Sequence, residues 1–180
     1  MIYSRKTCPR IYSKWIDMKT RCYNPNLLIK RPTYTGCTIH EDWINNFQQF
    51  AEDYVVMVGY GLPNRHLDKD ILYKGNKVYS KNTCVLVPSA INALLTYNRL
   101  DKGELPTGIT YSTSNKNYAV RCSKNGKREW LGRFYSLDDA ILAYKIAKEN
   151  SIKYMANIYK HELDPRAYDA LMKWEILEND

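Results

Sequence analysis

No window of the chain reaches the roughly 20 apolar residues that a bilayer-spanning helix requires. The N-terminal run carries Arg5, Lys6 and Arg10 where a secretion signal would carry an apolar core, so it does not read as a leader. Cysteine is scarce and odd in number: Cys8, Cys22, Cys37, Cys84 and Cys122 include no Cys-x-x-Cys pair. That argues against a disulfide framework and against a zinc knuckle, and leaves the thiols as small buried hydrophobes. Two of the three histidines, His40 and His161, have no partner pattern and read as surface residues. Internal repeats and low-complexity tracts are also lacking. The composition, 44% apolar, 26% charged and 13% aromatic, is far from the signature of disorder. These absences read as an intracellular, folded chain.

What is present is charge of one sign. The 27 Lys and Arg exceed the 19 Asp and Glu by +8, and the excess is not evenly spread. Residues 1 to 100 hold fourteen basic and seven acidic side chains, and residues 101 to 133 hold seven and three. Residues 134 to 180 reverse the balance with six and nine. A polarised basic surface is the footprint of a phosphate-backbone binder, although a merely soluble basic protein shows the same count.

Periodicity gives an α+β fold. Ile11, Trp15, Met18 and Cys22 recur at helical steps, and Tyr23-Asn24-Pro25-Asn26 ends that helix. A second helix is predicted through Trp43, Phe47, Phe50, Ala51 and Tyr54, broken by Gly59 to Pro63. Between Leu67 and Val87 two strand-like runs flank Gly75-Asn76, which predicts a hairpin. A helix from Ser89 to Tyr97, with Ser89 as N-cap, follows it and completes a ββα unit. Asp101 to Pro106 is polar with both Gly and Pro, so residues 101–106 form a linker between a module at 1–100 and another at 107–180. The second module has three strand-like runs, at 108–112, 118–123 and 129–134, with Asn125-Gly126 as the last hairpin turn. A helix capped by Ser136 packs on that antiparallel sheet, and a last helix opens at Asp164-Pro165.

The first module carries a motif set. Trp15-x-x-Met18-x-x-Arg21-Cys22-Tyr23, Cys37 ahead of Trp43 and Phe47, Leu67-Asp68-Lys69-Asp70 and Tyr79-Ser80-Lys81-Asn82-Thr83-Cys84 together resemble phage-borne HNH endonucleases, relatives of intron homing nickases. The resemblance implies a double-stranded-DNA nuclease that uses Mg²⁺, with Asp68 and Asn92 as metal ligands. It places Lys69 where the general-base histidine belongs and Thr83 where the middle Asn belongs. A lysine titrates near about 10.4 and does not accept a proton at neutral pH unless strongly desolvated, though it can hold a phosphate. His66 or Asp70 is then the substitute base. The alternative is that Asp68 and Asp70 are hairpin carboxylates paired to Lys69 and Lys74, with no metal.

In the second module, Gly108-Ile109-Thr110-Tyr111, Tyr118-Ala119-Val120-Arg121, Arg128 to Phe134 and Leu137 to Tyr144 resemble the plant ethylene-response-factor DNA-binding domain. That domain presents one face of a three-stranded sheet to the major groove. The resemblance and strand alternation give Thr110, Ser112, Arg121, Ser123, Arg128, Trp130 and Arg133 as the DNA-facing set. Ala119 and Cys122 flank the packed side, and Leu131 and Phe134 turn to the helix. Trp130 as a simple core aromatic is the other reading. Thr110 and Ser112 stand where the family carries arginine, so contacts to phosphate should dominate. Two functions follow: an HNH-type endonuclease or nickase of phage origin, in the host-cell cytoplasm, or an inactive descendant that binds DNA or a host protein as a repressor or inhibitor.

Overall fold

The computed structural model describes residues 2–96, 105–124 and 127–177. Of the expected features, Tyr97, most of the linker (101–104) and the Asn125-Gly126 turn lie outside those residues. The protein is α+β and divides into two compact units, Met1–Val87 with Glu162–Ala170, and Pro88–His161 with Leu171–Asp180. Among the described residues no helix is long and apolar enough to cross a membrane.

The first unit is built on α1 (Pro9–Tyr23), whose buried residues are Ile11, Trp15, Met18 and Cys22, the stripe read from spacing. Proline at its first position costs no hydrogen bond, and Asn24 both ends α1 and caps the short α2 (Pro25–Lys30) by accepting from the Leu27 amide at 3.1 Å. The second predicted helix is two helices, α3 (Glu41–Ile44) and α4 (Phe47–Val55). Asn46 separates them because its side chain accepts from the Gln49 amide at 3.1 Å, which starts a new helix rather than continuing the old one. Trp43 and Phe50 are fully buried and meet edge to face at 5.1 Å. Side chains of this size each contribute about 1.5–3 kcal/mol on burial. The Trp15 indole donates to the Trp43 carbonyl at 2.6 Å.

The hairpin expected at 67–87 is not one. Strand β2 (Arg65–Asp68) pairs with β4 (Val85–Pro88), and the intervening β3 (Val78–Tyr79) pairs in parallel with β1 (Thr38–Ile39). Gly75, at φ 80°, does support a turn, closed by the Asn76 amide on the Tyr73 carbonyl at 2.9 Å. Asn76 then ties that turn to Lys69: its side chain donates to the Lys69 carbonyl at 2.8 Å while its own carbonyl accepts from Lys69 Nζ at 2.7 Å. The turn therefore folds a connecting loop and does not close a strand ladder. β4 runs into α5 (Ser89–Leu95), in which Ser89 is the first helical residue rather than the cap.

The second unit is a three-stranded antiparallel sheet, β5 (Ile109–Ser112), β6 (Asn117–Lys124) and β7 (Lys127–Phe134), in that order. Helix α6 (Leu137–Ile158) covers one face, where Ile109, Val120 and Cys122 pack on Ala140 and Tyr144. Ser136 caps α6 through the Asp139 amide at 3.4 Å, and Asp164 opens α7 (Pro165–Met172) through the Arg166 amide at 2.9 Å. Gly108 begins the sheet at φ 81°, and a Cβ there would overlap the Arg121 carbonyl and the Tyr144 ring. Gly108→Ala should thus cost at least about 1–3 kcal/mol through the backbone alone. Thermal denaturation should show a fall in Tm of about 2 °C or more, and an unchanged Tm would contradict this packing.

Candidate nucleic-acid interface

Antiparallel pairing decides which side chains share the face opposite α6. Arg121 stands opposite Trp130, Ser123 opposite Arg128, Ala119 opposite Arg133, and Thr110 opposite Ala119. Directly opposed residues project to the same side, so these seven residues line one surface. Simple alternation along β7 would send Arg133 to the helix side, three positions after Trp130. The register is broken instead: Val120 pairs with Gly132 while Arg121 pairs with Trp130, which leaves Leu131 as an extra, bulged residue. Gly132 adopts φ 138° at that point, a conformation that side chains disfavour. The bulge returns Arg133 to the face of Trp130 and leaves Leu131 and Phe134 packed against the helix side.

The result is a compact cationic and aromatic cluster. Trp130 is 50% exposed, so it is not a core aromatic. The Arg121 guanidinium lies 5.6 Å and that of Arg133 5.8 Å from the Trp130 ring centroid. Both arginines, Ser123 and Arg128 are exposed. Glu129, opposite the buried Cys122, falls on the other face. Thr110 is exposed and its hydroxyl donates to the Ala119 carbonyl at 3.4 Å. Ser112 closes the β5–β6 turn, accepting from the Asn115 amide at 3.3 Å. Ala119 differs from expectation: it lies with Arg121 on the outer side, while Cys122 is buried at the helix. Strand parity, 119 with 121 and 123, carried that signal.

The residues expected to do chemistry lie elsewhere. On β2, His66 and Asp68 are half-buried on either side of the buried Leu67, and Lys69, just beyond the strand, is buried. The Lys69 ammonium bonds Asp70 at 2.6 Å and the Asn76 carbonyl at 2.7 Å, 5.8 Å from the Tyr79 ring centroid. It therefore holds the 69–77 loop together and is not open to a phosphate. Thr83 likewise is a loop fastener, donating to the Val78 carbonyl at 2.6 Å and accepting from the Ser80 amide at 3.2 Å. Asp68 Oδ1 accepts from the amides of Asp70 and Ile71 at 2.7 and 2.9 Å, and burial pushes its carboxyl above the ordinary carboxylate range. Asn92 sits on α5 in the second compact unit. Among the described residues no three His, Cys, Asp or Glu side chains gather where an ion could be held. A turn-forming carboxylate with one oxygen already accepting two amide protons leaves less of Asp68 for an octahedral Mg²⁺ ion, which is usually held by one or two carboxylates and several waters.

His66 is the exception. Burial, then the charges of Lys14 and Arg21, hold its imidazole below its ordinary pKa of 6.5. The unfolded chain therefore takes up the proton first, and stability rises with pH across this titration. Stability should be intact above pH 6.5 and decline as pH falls from there toward the lower folded-state value. Urea unfolding at pH 7.5 and 5.5 should show a smaller pH difference for His66→Gln than for the parent; equal differences would contradict the shift. No family model matches the chain, and neither the curated proteins nor the solved structures searched give a match.

Proposed function

We propose that the protein binds double-stranded DNA through the outer face of β5, β6 and β7. One observation carries this reading: Arg121, Trp130 and Arg133 are held together, exposed, on a face with no carboxylate opposite them in the sheet register. B-DNA's major groove, about 12 Å wide, admits a β-structure of this kind. Arginines reach phosphates or guanine edges as planar forks, and the indole offers an apolar surface for thymine methyls. Thr110 and Ser123 add short polar contacts. The resemblance to the ethylene-response-factor domain supports the same face.

The first unit is then an HNH-like module adapted to hold or orient DNA rather than to cut it efficiently. What supports this is the occupation of the expected base position by Lys69, a buried loop fastener with two hydrogen bonds of its own. A metal-dependent nickase is the second reading. It is favoured by His66, which is half-buried and kept neutral on the strand that would carry the base. A base lost outright costs about 10²–10⁴ in rate, so any remaining activity would be slow.

Arg121→Ala and Arg133→Ala should each weaken duplex binding by about 1–3 kcal/mol where they read a base, or lower the slope of log affinity against log salt by about 0.9 where they hold a phosphate. Fluorescence anisotropy over a salt series checks this, and unchanged affinity and slope in both variants would remove the sheet as the interface. Supercoiled plasmid with Mg²⁺ or Mn²⁺ separates the two readings. The binding reading expects no nicking above that of an Asp68→Ala control, and metal-dependent nicking lost in that control and in His66→Gln would establish the nickase.

A further inference from the structure

We propose that α1 is a second DNA-docking element, a helix that seats its exposed crest in the major groove while cations on both of its flanks reach phosphates. This rests on the reading that the protein binds double-stranded DNA, and it adds a contact on the first unit, remote in sequence from the sheet. The charge of that unit is concentrated in one stretch. Residues 1 to 40 hold eight basic side chains against a single acidic one, Asp17, whereas residues 41 to 100 hold six of each. Nearly all of the net charge of +8 thus falls on α1, α2 and the segments beside them. Among the described residues no ion pair joins a carboxylate to any of these eight cations. An uncompensated cationic surface of this kind is the electrostatic footprint of a phosphate-backbone contact.

Helical spacing sorts the side chains around α1. Ile11, Trp15, Met18 and Cys22 are buried, so the crest opposite them is Ser13, Ile16, Asp17 and Thr20, which follow at three- and four-residue steps and are all exposed. Arg10 and Lys14, one turn apart, lie on one flank of that crest. Lys19 lies on the other, its ammonium 4.4 Å from the Trp15 ring centroid. Arg5 joins Lys19 there, because its guanidinium carbon lies 5.9 Å from the ring centroid of Tyr12, seven positions before Lys19. The segment carrying Arg5 is fastened: the Cys8 amide donates to the Ser4 carbonyl and the Tyr3 amide to the Gln48 side chain, both at 2.8 Å. A helix with its side chains is about 10–12 Å across, and the major groove of B-DNA is about 12 Å wide. Seated crest first, α1 would aim its two cationic flanks at the phosphates on either side. Ser13 and Thr20 suit base edges of either polarity, Ile16 suits a thymine methyl, and Asp17, which phosphates would repel, suits the amino group of cytosine. A lipid surface would ask for bulky apolar side chains along this crest, and three of its four residues are polar.

The test uses the full chain and a fluorescently labelled duplex, followed by anisotropy over a salt series. Arg10→Gln and Lys19→Gln, one from each flank, should each make log affinity fall less steeply with log salt, by about 0.9 in slope. Lys153→Gln removes the same charge from α6 and should leave the slope as it is. Thr20→Glu sets a carboxylate on the exposed crest and should weaken binding tenfold or more with Tm unchanged. Parent slopes in both flank variants, or an equal loss of slope in Lys153→Gln, overturn α1 as a docking element even if Arg121-dependent binding persists. A slope lowered from one flank only, or parent affinity in Thr20→Glu, overturns its seating in a groove. Preference of the parent for anionic lipid vesicles or single-stranded RNA over the duplex, with the same need for Arg10 and Lys19, overturns the duplex as the occupant. Duplex binding that needs Arg10 and Lys19 but is indifferent to Arg121→Ala and Arg133→Ala supports the helix and removes the sheet.

Discussion

The bulge at Leu131 is the constraint on which the proposed DNA-binding face depends. Without the extra residue, Trp130 and Arg133 would lie on opposite sides of β7, and the arginine would be driven into the apolar contact between sheet and helix. With it, two guanidinium groups flank one indole on the open side, while Leu131 and Phe134 complete the packing beneath. Glycine at position 132 lets the backbone take the φ of 138° that the bulge imposes. A single local irregularity thus completes the packing beneath and gathers the side chains of the proposed DNA-binding face above. Strain and bulges of this type recur where a sheet must re-aim a side chain.

In the first unit the corresponding constraint is the Lys69–Asn76 pair. A buried ammonium is costly unless its hydrogen bonds are met, and here Asp70 and the Asn76 carbonyl accept from it, with the Tyr79 ring centroid 5.8 Å away. The 69–77 loop is thereby consumed in holding itself together. Asp53 plays a similar part between α4 and the 80s loop, accepting from the Trp43 indole at 2.8 Å and pairing with Lys81 at 2.9 Å. Burial opposes its charge, but these partners prevail and hold its carboxyl below the ordinary range. The polar groups of this unit are mostly spent on structure.

Local physics was legible in the sequence and non-local pairing was not. The buried stripe of α1 follows from a 3.6-residue period, and the starts of α6 and α7 follow from Ser136 and from Asp164-Pro165. The split between α3 and α4 was available in Asn46, whose capping chemistry lost to the run of aromatics around it. The hairpin failed because Gly75-Asn76 specifies a turn but not the partner of the strands beside it. β3 found β1, some forty residues upstream, and only the tertiary fold decides that. Arg121 and Trp130 were found through resemblance and alternation together, whereas Arg133 reaches the same face only through the bulge. The influence of Lys14 and Arg21 on His66 could not be read from sequence, since nothing local relates a strand residue to a helix more than forty positions away.

Nuclear magnetic resonance of the protein with a short duplex probes the central claim most directly, through the Trp130 indole N–H and the guanidinium N–H signals of Arg121 and Arg133. The account requires these signals to shift together on adding DNA, while the amides of Ile152 and Ala156, buried on α6, stay in place. Duplex-dependent shifts centred on α6, with the Trp130 indole unmoved, would contradict it.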